Sequence, residues 1–268
     1  MDGILKLGPL IIATDRALAL VAIWAFLTIA TLVTARTGRN VGRAAWIAVA
    51  VGIVAARIGF ILENLPAFLT EPWTLLALWQ GGFSSWIGVG AAAATLLAML
   101  RRQRATGLMI VSLAGLALTH SSVTAATAPS IKAFPSGISL ATTTGQVLSL
   151  DAMRGKPFVL NLWATWCPPC RREMPMLLDV AKGSRTPILL VNQGEPAGRV
   201  RSFLSINDMG SDAVALDAAQ RVSAATGARA YPTTLFIDAG GRIVRIHSGE
   251  ISRAALSAAI RDLERTPT

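Results

Sequence analysis

The sequence predicts a two-part molecule, an all-α transmembrane region of about four helices followed by an α/β domain. Three observations lead there. Hydrophobic residues make up 53% of the 268-residue chain and charged residues only 15%, with a mean hydropathy of +0.53, too apolar for an ordinary soluble domain. The apolar excess is uneven: nearly all long uncharged runs fall between residues 8 and 128, whereas residues 130–268 have the mixed, punctuated composition of a globular domain. Within that second part, short apolar runs alternate with amphipathic segments, the pattern of βαβ units. The expected boundaries are a transmembrane region over 1–126, a linker over 127–130 and the α/β domain over 131–268.

Taken in order, the membrane half offers four apolar runs: Ala17 to Thr34, Ala44 to Leu62, Phe83 to Leu100, and about Thr106 to Ala126. The first three approach the ~17–25 residues a spanning helix needs, and His120, Ser121 and Ser122 dilute the end of the fourth. MDGILKLGPL carries an aspartate and one lysine, and no small-x-small pattern follows the first run, so that run reads as a retained helix. The fourth run, between RRQR and AATAP, also has the layout of a signal peptide with a cleavage site near Ala128. WTLLALWQ is too short to cross alone and is expected to lie at the interface or to extend the third helix past Gly81 and Gly82.

Loop charge sets the expected orientation. Arg36, Arg39 and Arg43 follow the first run and RRQR follows the third, so both loops belong in the cytoplasm, whereas ENLPAFLTEP between the second and third carries two glutamates and no cation. The N-terminus and everything after about Ala126 then lie outside. The net charge of +10 is explained by orientation and scattered surface arginines. No clustered aromatic-basic pattern supports nucleic-acid binding.

HSSVTAATAPS cannot bury a core and reads as an exposed linker. ISLATTTGQVLSL alternates around a Thr-Gly turn and predicts a hairpin. KPFVLNLW predicts a buried strand, CPPCRREMPMLLDVAKG a helix kinked at Pro175, and PILLVN a second strand. GRVRSFLS and AAQRVSAATG predict helices; TTLFID and RIVRIHS are strands around Ala-Gly-Gly, forming an antiparallel edge. SRAALSAAIRDLE closes the chain as a helix with Ser252 as N-cap and Leu256, Ile260 and Leu263 on one face. Trp163 reads as core and His247 as a strand surface residue.

The chain's two cysteines stand two residues apart in WCPPC. A Cys-x-x-Cys at a helix start places Cys167 near unpaired N–H groups and the positive end of the helix dipole, both of which favour thiolate. Cys170, one turn on, can resolve a mixed disulfide. Pro168 and Pro169 suit a first turn whose N–H groups have no acceptor. Arg171, four residues from Cys167, can add to thiolate stabilisation. The chain has no second cysteine pair, and its histidines are His120 at the end of the fourth apolar run and His247 on a predicted strand, so a four-ligand zinc site is not expected. A purely structural disulfide here would constrain the unfolded chain little. No metal and no cofactor is expected.

LNLWATWCPPCRREMP followed by GARAYPTTLFID resembles a thioredoxin-fold protein of the membrane-anchored TlpA/ResA type, over about Ile131 to Glu264. The resemblance implies a thioredoxin-fold domain acting as a thiol-disulfide oxidoreductase on the outer face of the bacterial cytoplasmic membrane, in the reducing direction. It implies a cis Pro232 that stands with Tyr231 beside the cysteines and presents backbone to substrate, and Trp166 fits a wall of that site. Thioredoxin itself has a buried aspartate where this chain has Asn161, which leaves the proton route open; Glu195 is a candidate replacement, or else a solvated loop acid. With no cysteine in any membrane helix the chain cannot relay electrons across the bilayer, so an external partner of the DsbD/CcdA type is expected, and periplasmic thiol proteins as substrates.

The membrane half, through AARIGFILEN and WQGGFSSWIGVG, is similar to the early helices of prolipoprotein diacylglyceryl transferase. Trp79, Gly81, Gly82, Ser84 and Gly88 fit its signature, but Trp86 stands at the position of its catalytic histidine, and its later helices have no counterpart. Arg57 reads either as a phospholipid head-group ligand or as a side chain snorkelling to the interface. The rival function is a lipid-handling membrane protein whose thioredoxin domain binds partners.

Overall fold

A computed structural model describes residues 4–7, 10–37, 40–78, 81–101, 104–127 and 132–265. The chain divides into two compact units between Ala128 and Pro129.

The first unit opens with a short antiparallel hairpin, β1 (Ile4–Leu7) and β2 (Leu10–Ala13), that the sequence reading did not foresee. Helices α1 (Thr14–Thr37), α2 (Val41–Glu63), α3 (Leu65–Thr70), α4 (Ser85–Leu100) and α5 (Arg104–Thr127) follow. Among the described residues three helical segments, Arg16–Thr37, Val41–Glu63 and Arg104–Ala126, are long and apolar enough to cross a membrane. At 16 residues and about 24 Å of rise, α4 is the shortest of the four apolar helices α1, α2, α4 and α5. It packs along α2 through small residues. A Cβ added at Gly88 would lie 2.9 Å from both the Ala56 Cβ and the Gly52 carbonyl, so the close approach of these helices depends on that glycine.

Two sequence expectations change here. WTLLALWQ does not extend the third helix: Pro72–Leu76 form a 3₁₀ turn, and Gly81 and Gly82, at φ +78° and +88°, take left-handed backbone before α4 begins. Trp79 and Gln80 lie outside the described residues. HSSVTAAT is not an open linker, because α5 runs through Thr127. The Thr119 and Thr124 hydroxyls donate to the Gly115 and His120 carbonyls at 2.8 Å, turning loop-prone side chains back onto the helix, and Ala125 and Ala126 after them favour it. Residues 128–130, which hold the rest of the expected linker and the cleavage position, lie outside the described residues.

The second unit holds an eight-stranded sheet in the order β3-β10-β9-β6-β7-β8-β4-β5. Its strands are β3 (Lys132–Ala133), β4 (Ser139–Thr142), β5 (Val147–Ser149), β6 (Phe158–Trp163), β7 (Ile188–Gln193), β8 (Val214–Asp217), β9 (Thr233–Ile237) and β10 (Arg242–Ser248). The crossovers are α6 (Pro168–Gly183), α7 (Ala197–Ile206) and α8 (Arg221–Thr226), and α9 (Arg253–Arg265) closes the chain. Strands β6, β7 and β8 run parallel; β9 is antiparallel to β6, and β10 to β9. This is the predicted thioredoxin-like α/β arrangement. The β9–β10 pair is not the sheet edge, however: β3 pairs outside β10, and the β4–β5 hairpin forms the opposite edge beyond β8.

Every residue of β6 is buried, as a central strand covered on both faces requires. Val159 and Trp163 face a core shared with Met174, Leu177, Leu256 and Ile260. Phe158, Leu160 and Leu162 face a second core with Phe134, Leu150 and Val222. Trp163 is thus core, as expected. The α6 helix continues through Pro175. The Ser252 hydroxyl accepts from the Ala255 N–H at 3.2 Å, giving α9 its expected cap.

Candidate functional site

Strand β6 delivers its last residue, Trp163, into the turn Ala164–Trp166, and Cys167 then caps α6. Its Sγ accepts from the Cys170 N–H at 3.3 Å. Pro168 and Pro169 occupy the first two helical positions, so Cys170 supplies the first N–H available to that sulfur. Cys167 and Cys170 are joined by a disulfide, with Cα atoms 5.3 Å apart. Both are covered, at 2% and 1% exposure.

Tyr231 and Pro232 are joined by a cis peptide. The register Leu162↔Thr233 sets Pro232 at the end of the sheet where β6 leads into the cysteine turn. Tyr231 packs against the core that contains both cysteines, and its ring lies 6.1 Å from that of Trp166. Trp166 is 63% exposed, so an aromatic wall stands in solvent immediately before the buried sulfur. The structure therefore brings Cys167, Cys170, Trp166, Tyr231 and Pro232 to one end of the sheet.

Glu195 is not a solvated loop acid: it is 5% exposed. Its Oε2 accepts from the Thr165 N–H at 2.7 Å and from Asn192 Nδ2 at 2.8 Å, and its Oε1 from the Thr165 hydroxyl at 2.5 Å. Arg199 Nη1 lies 3.9 Å away. The carboxylate thus pins the turn two residues ahead of Cys167. Arg171 lays its guanidinium over the Phe203 ring, 5.8 Å from the centroid. His247 is half-buried, with Nε2 3.2 Å from the Glu250 carbonyl.

The sequence reading missed Glu173. It sits on α6 one turn after Cys170, 3% exposed. Its Oε1 accepts from Asn161 Nδ2 at 2.8 Å and its Oε2 from the Ile251 N–H at 2.8 Å. Burial pushes its carboxyl from an ordinary 4.5 up to about 8; the Ile251 and Asn161 hydrogen bonds oppose the rise, the Glu250 charge adds to it and Arg172 counters it. The Asn161 Oδ1 is buried without a hydrogen-bond partner. Rotating that amide would turn the oxygen toward Glu173, where a protonated carboxyl could donate to it, so either protonation state of Glu173 can be matched. The sequence did carry a signal: Cys170, Met174 and Leu177 mark a buried stripe at helical spacing, and Glu173 falls inside it.

In the first unit, Arg57 is 8% exposed and all five of its N–H bonds are directed at backbone carbonyls. Nε donates to Leu75, Nη1 to Gly81 and Gly82, and Nη2 to Thr74 and Leu75, at 2.7–3.3 Å. The Phe68 and Phe83 rings lie 5.5 and 5.7 Å from its guanidinium carbon. Its donors are thus taken by backbone carbonyls of the irregular segment before α4. Trp86 is 74% exposed. Among the described residues, no group of three His, Cys, Asp or Glu side chains could hold a metal.

Comparison with known proteins follows the same division. Residues 124–263 match the Redoxin family model, and residues 3–127 match that of prolipoprotein diacylglyceryl transferase. The thiol:disulfide interchange protein DsbE homolog of Paracoccus denitrificans is 39% identical over 115 residues, 42% of this chain and 63% of the relative. The thiol-disulfide oxidoreductase ResA of Halalkalibacterium halodurans is 37% identical over 108 residues, 39% of this chain and 61% of the relative. Thus the chain spans less than two thirds of either protein's length. The thioredoxin-like protein YneN of Bacillus subtilis is 33% identical over 120 residues, 43% of this chain and 69% of the relative. Among solved structures, a secreted Mycobacterium tuberculosis disulfide oxidoreductase superposes with a TM-score of 0.42 at 26% identity, covering 47% of this chain and 96% of that one.

Proposed function

The chain belongs to the Redoxin family, and from that premise we propose that it is a membrane-anchored thiol-disulfide oxidoreductase that reduces protein disulfides outside the cytoplasmic membrane. One observation carries this reading: the Cys167–Cys170 pair caps the buried α6 N-terminus with a carboxyl raised to about 8 one turn beneath it. In the dithiol form, the Cys167 thiolate attacks a substrate disulfide and forms a mixed disulfide as the first substrate thiolate leaves. Cys170, its proton passed to Glu173, then attacks the Cys167 sulfur. The second substrate thiolate departs, the Cys167–Cys170 bond closes, and two electrons have moved to the substrate. Trp166, Tyr231 and Pro232 flank the substrate strand. Glu195 holds the turn that presents Cys167, and Glu173 takes the proton-transfer role that the sequence suggested for Glu195.

Regeneration requires a second dithiol protein, for which a membrane transporter of the DsbD/CcdA type is the fitting class. The loop charges support four crossings with the thioredoxin domain on the periplasmic side. We assign the membrane half to anchoring among phospholipids. The match to the transferase family supports membrane residence, but Trp86 brings no general base to the position of that family's histidine. Equilibrating the full chain in neutral detergent with glutathione buffers tests the direction. A reductase should have a potential near or below about −230 mV, and a value near about −120 mV would instead mark an oxidant.

A further inference from the structure

Beside the redox helix lies a groove of about 320 Å³ lined by Pro168, Arg171, Arg172, Phe203, Asn207 and Met209. We propose that it binds an acidic, apolar stretch of the substrate polypeptide next to the attacked cysteine, a specificity subsite that rests on the oxidoreductase reading above. The volume, at the low end for binding sites, suits one or two side chains. Phe203 and Met209 pack on the domain core and give the groove an apolar floor.

The charge at its rim is already organised. Arg171 is exposed, lies over the Phe203 ring at 5.8 Å, and has no carboxylate within ion-pair distance among the described residues. Arg172 instead donates to Glu250 Oε2 from Nε at 3.0 Å and from Nη2 at 2.7 Å, so its charge is matched within the domain. Asp208 stands in the adjoining turn but does not line the groove. Stacking on Phe203 leaves the edge N–H groups of Arg171 free to meet a carboxylate and reduces the rotamer freedom lost on binding. Pro168 directly follows Cys167, and the Arg171 N–H donates to the Cys167 carbonyl at 3.1 Å. At about 3.3 Å per extended residue, a side chain two to four positions from the attacked cysteine reaches the groove.

The test uses the full chain in neutral detergent, reduced with dithiothreitol and desalted, in single-turnover reactions. Its substrates are two disulfide peptides that differ only by Glu or Gln beside a leucine near the cysteine, and uncharged hydroxyethyl disulfide. Rates are divided by those for reduction of the same compounds by dithiothreitol. We expect the Glu peptide to react about threefold faster, the size of an exposed ion-pair effect, with the preference disappearing near about 1 M salt. Arg171→Glu should reverse the preference, and Arg185→Glu, a matched charge change at the far end of α6, should leave it in place. Equal rates for the two peptides, or an Arg185→Glu effect equal to that of Arg171→Glu, would overturn the subsite while sparing the redox reading. Failure to reduce any of the three compounds would defeat the redox reading, and the subsite with it.

Discussion

Replacing Glu173 with Gln should remove a specific part of the protein's pH dependence. In the folded chain the carboxyl titrates at about 8 against an ordinary 4.5. Between those values the folded state holds a proton that the unfolded state has lost, so stability falls as pH rises. The contribution is fully present below about 4.5 and is lost as pH passes through about 8. The difference of about 3.5 units, at about 1.4 kcal/mol each, amounts to roughly 5 kcal/mol, and the slope approaches about 1.4 kcal/mol per pH unit near neutrality. Gln keeps the shape of the side chain and cannot ionise. It also places an NH₂ where Asn161 Nδ2 now donates; rotation of the Asn161 amide brings its unpartnered Oδ1 round to accept from that NH₂, so any remaining mismatch is a pH-independent offset of at most about 1–3 kcal/mol. Thermal unfolding of the oxidised full chain in neutral detergent, followed by tryptophan fluorescence from pH 5 to pH 9, separates the two effects. The constant offset shifts the whole curve, and the loss of slope shows only in the difference between wild type and variant. Parallel curves would refute the assignment of a raised proton affinity to Glu173.

Other consequences follow from the membrane half and from topology. Arg57→Met leaves the Leu75, Gly81 and Gly82 carbonyls without their Arg57 donor and the Thr74 carbonyl with the Ala77 N–H alone. It should destabilise the first unit by about 3–5 kcal/mol, read as a lower thermal midpoint and new protease cleavage between residues 72 and 84; an unchanged midpoint would mean that these carbonyls find other donors. A reporter active only in the periplasm should work when fused after Thr268 and fail after Arg104, and the opposite pattern would reverse the orientation. Purified protein should transfer no diacylglycerol to a lipoprotein cysteine, and turnover above background would restore a chemical role to the half that carries Trp86.

Much of the fold was legible because its periods are strong. The all-buried β6, the amphipathic α9 with Leu256, Ile260 and Leu263, and the hairpin around Gly145 all follow from patterning. Strand β8 was not foreseen: it is four residues long and ends in Asp217, which looks like a loop residue. Asp217 in fact accepts from the Arg221 and Val222 N–H groups at 2.9 and 2.8 Å, so it starts α8. The site divides in the same way. The cysteines declare themselves by spacing, whereas Glu195 and Glu173 owe their character to burial and to partners 30 and 78 residues away. A local pattern holds no record of such contacts. Arg57 was ambiguous for a related reason, since its acceptors are carbonyls of an irregular segment that no periodicity describes.

The central claim is that Cys167 attacks and Cys170 resolves. Cys170→Ser should leave an attacking thiolate with an apparent pKa below the ~8.5 of a free cysteine. In cells it should accumulate mixed disulfides with substrate proteins that dithiothreitol releases. Cys167→Ser should trap nothing and lose reductase activity toward insulin. Trapping by the Cys167 variant and not by the Cys170 variant would exchange the two roles, and unaltered thiol exchange in both would contradict the redox function itself.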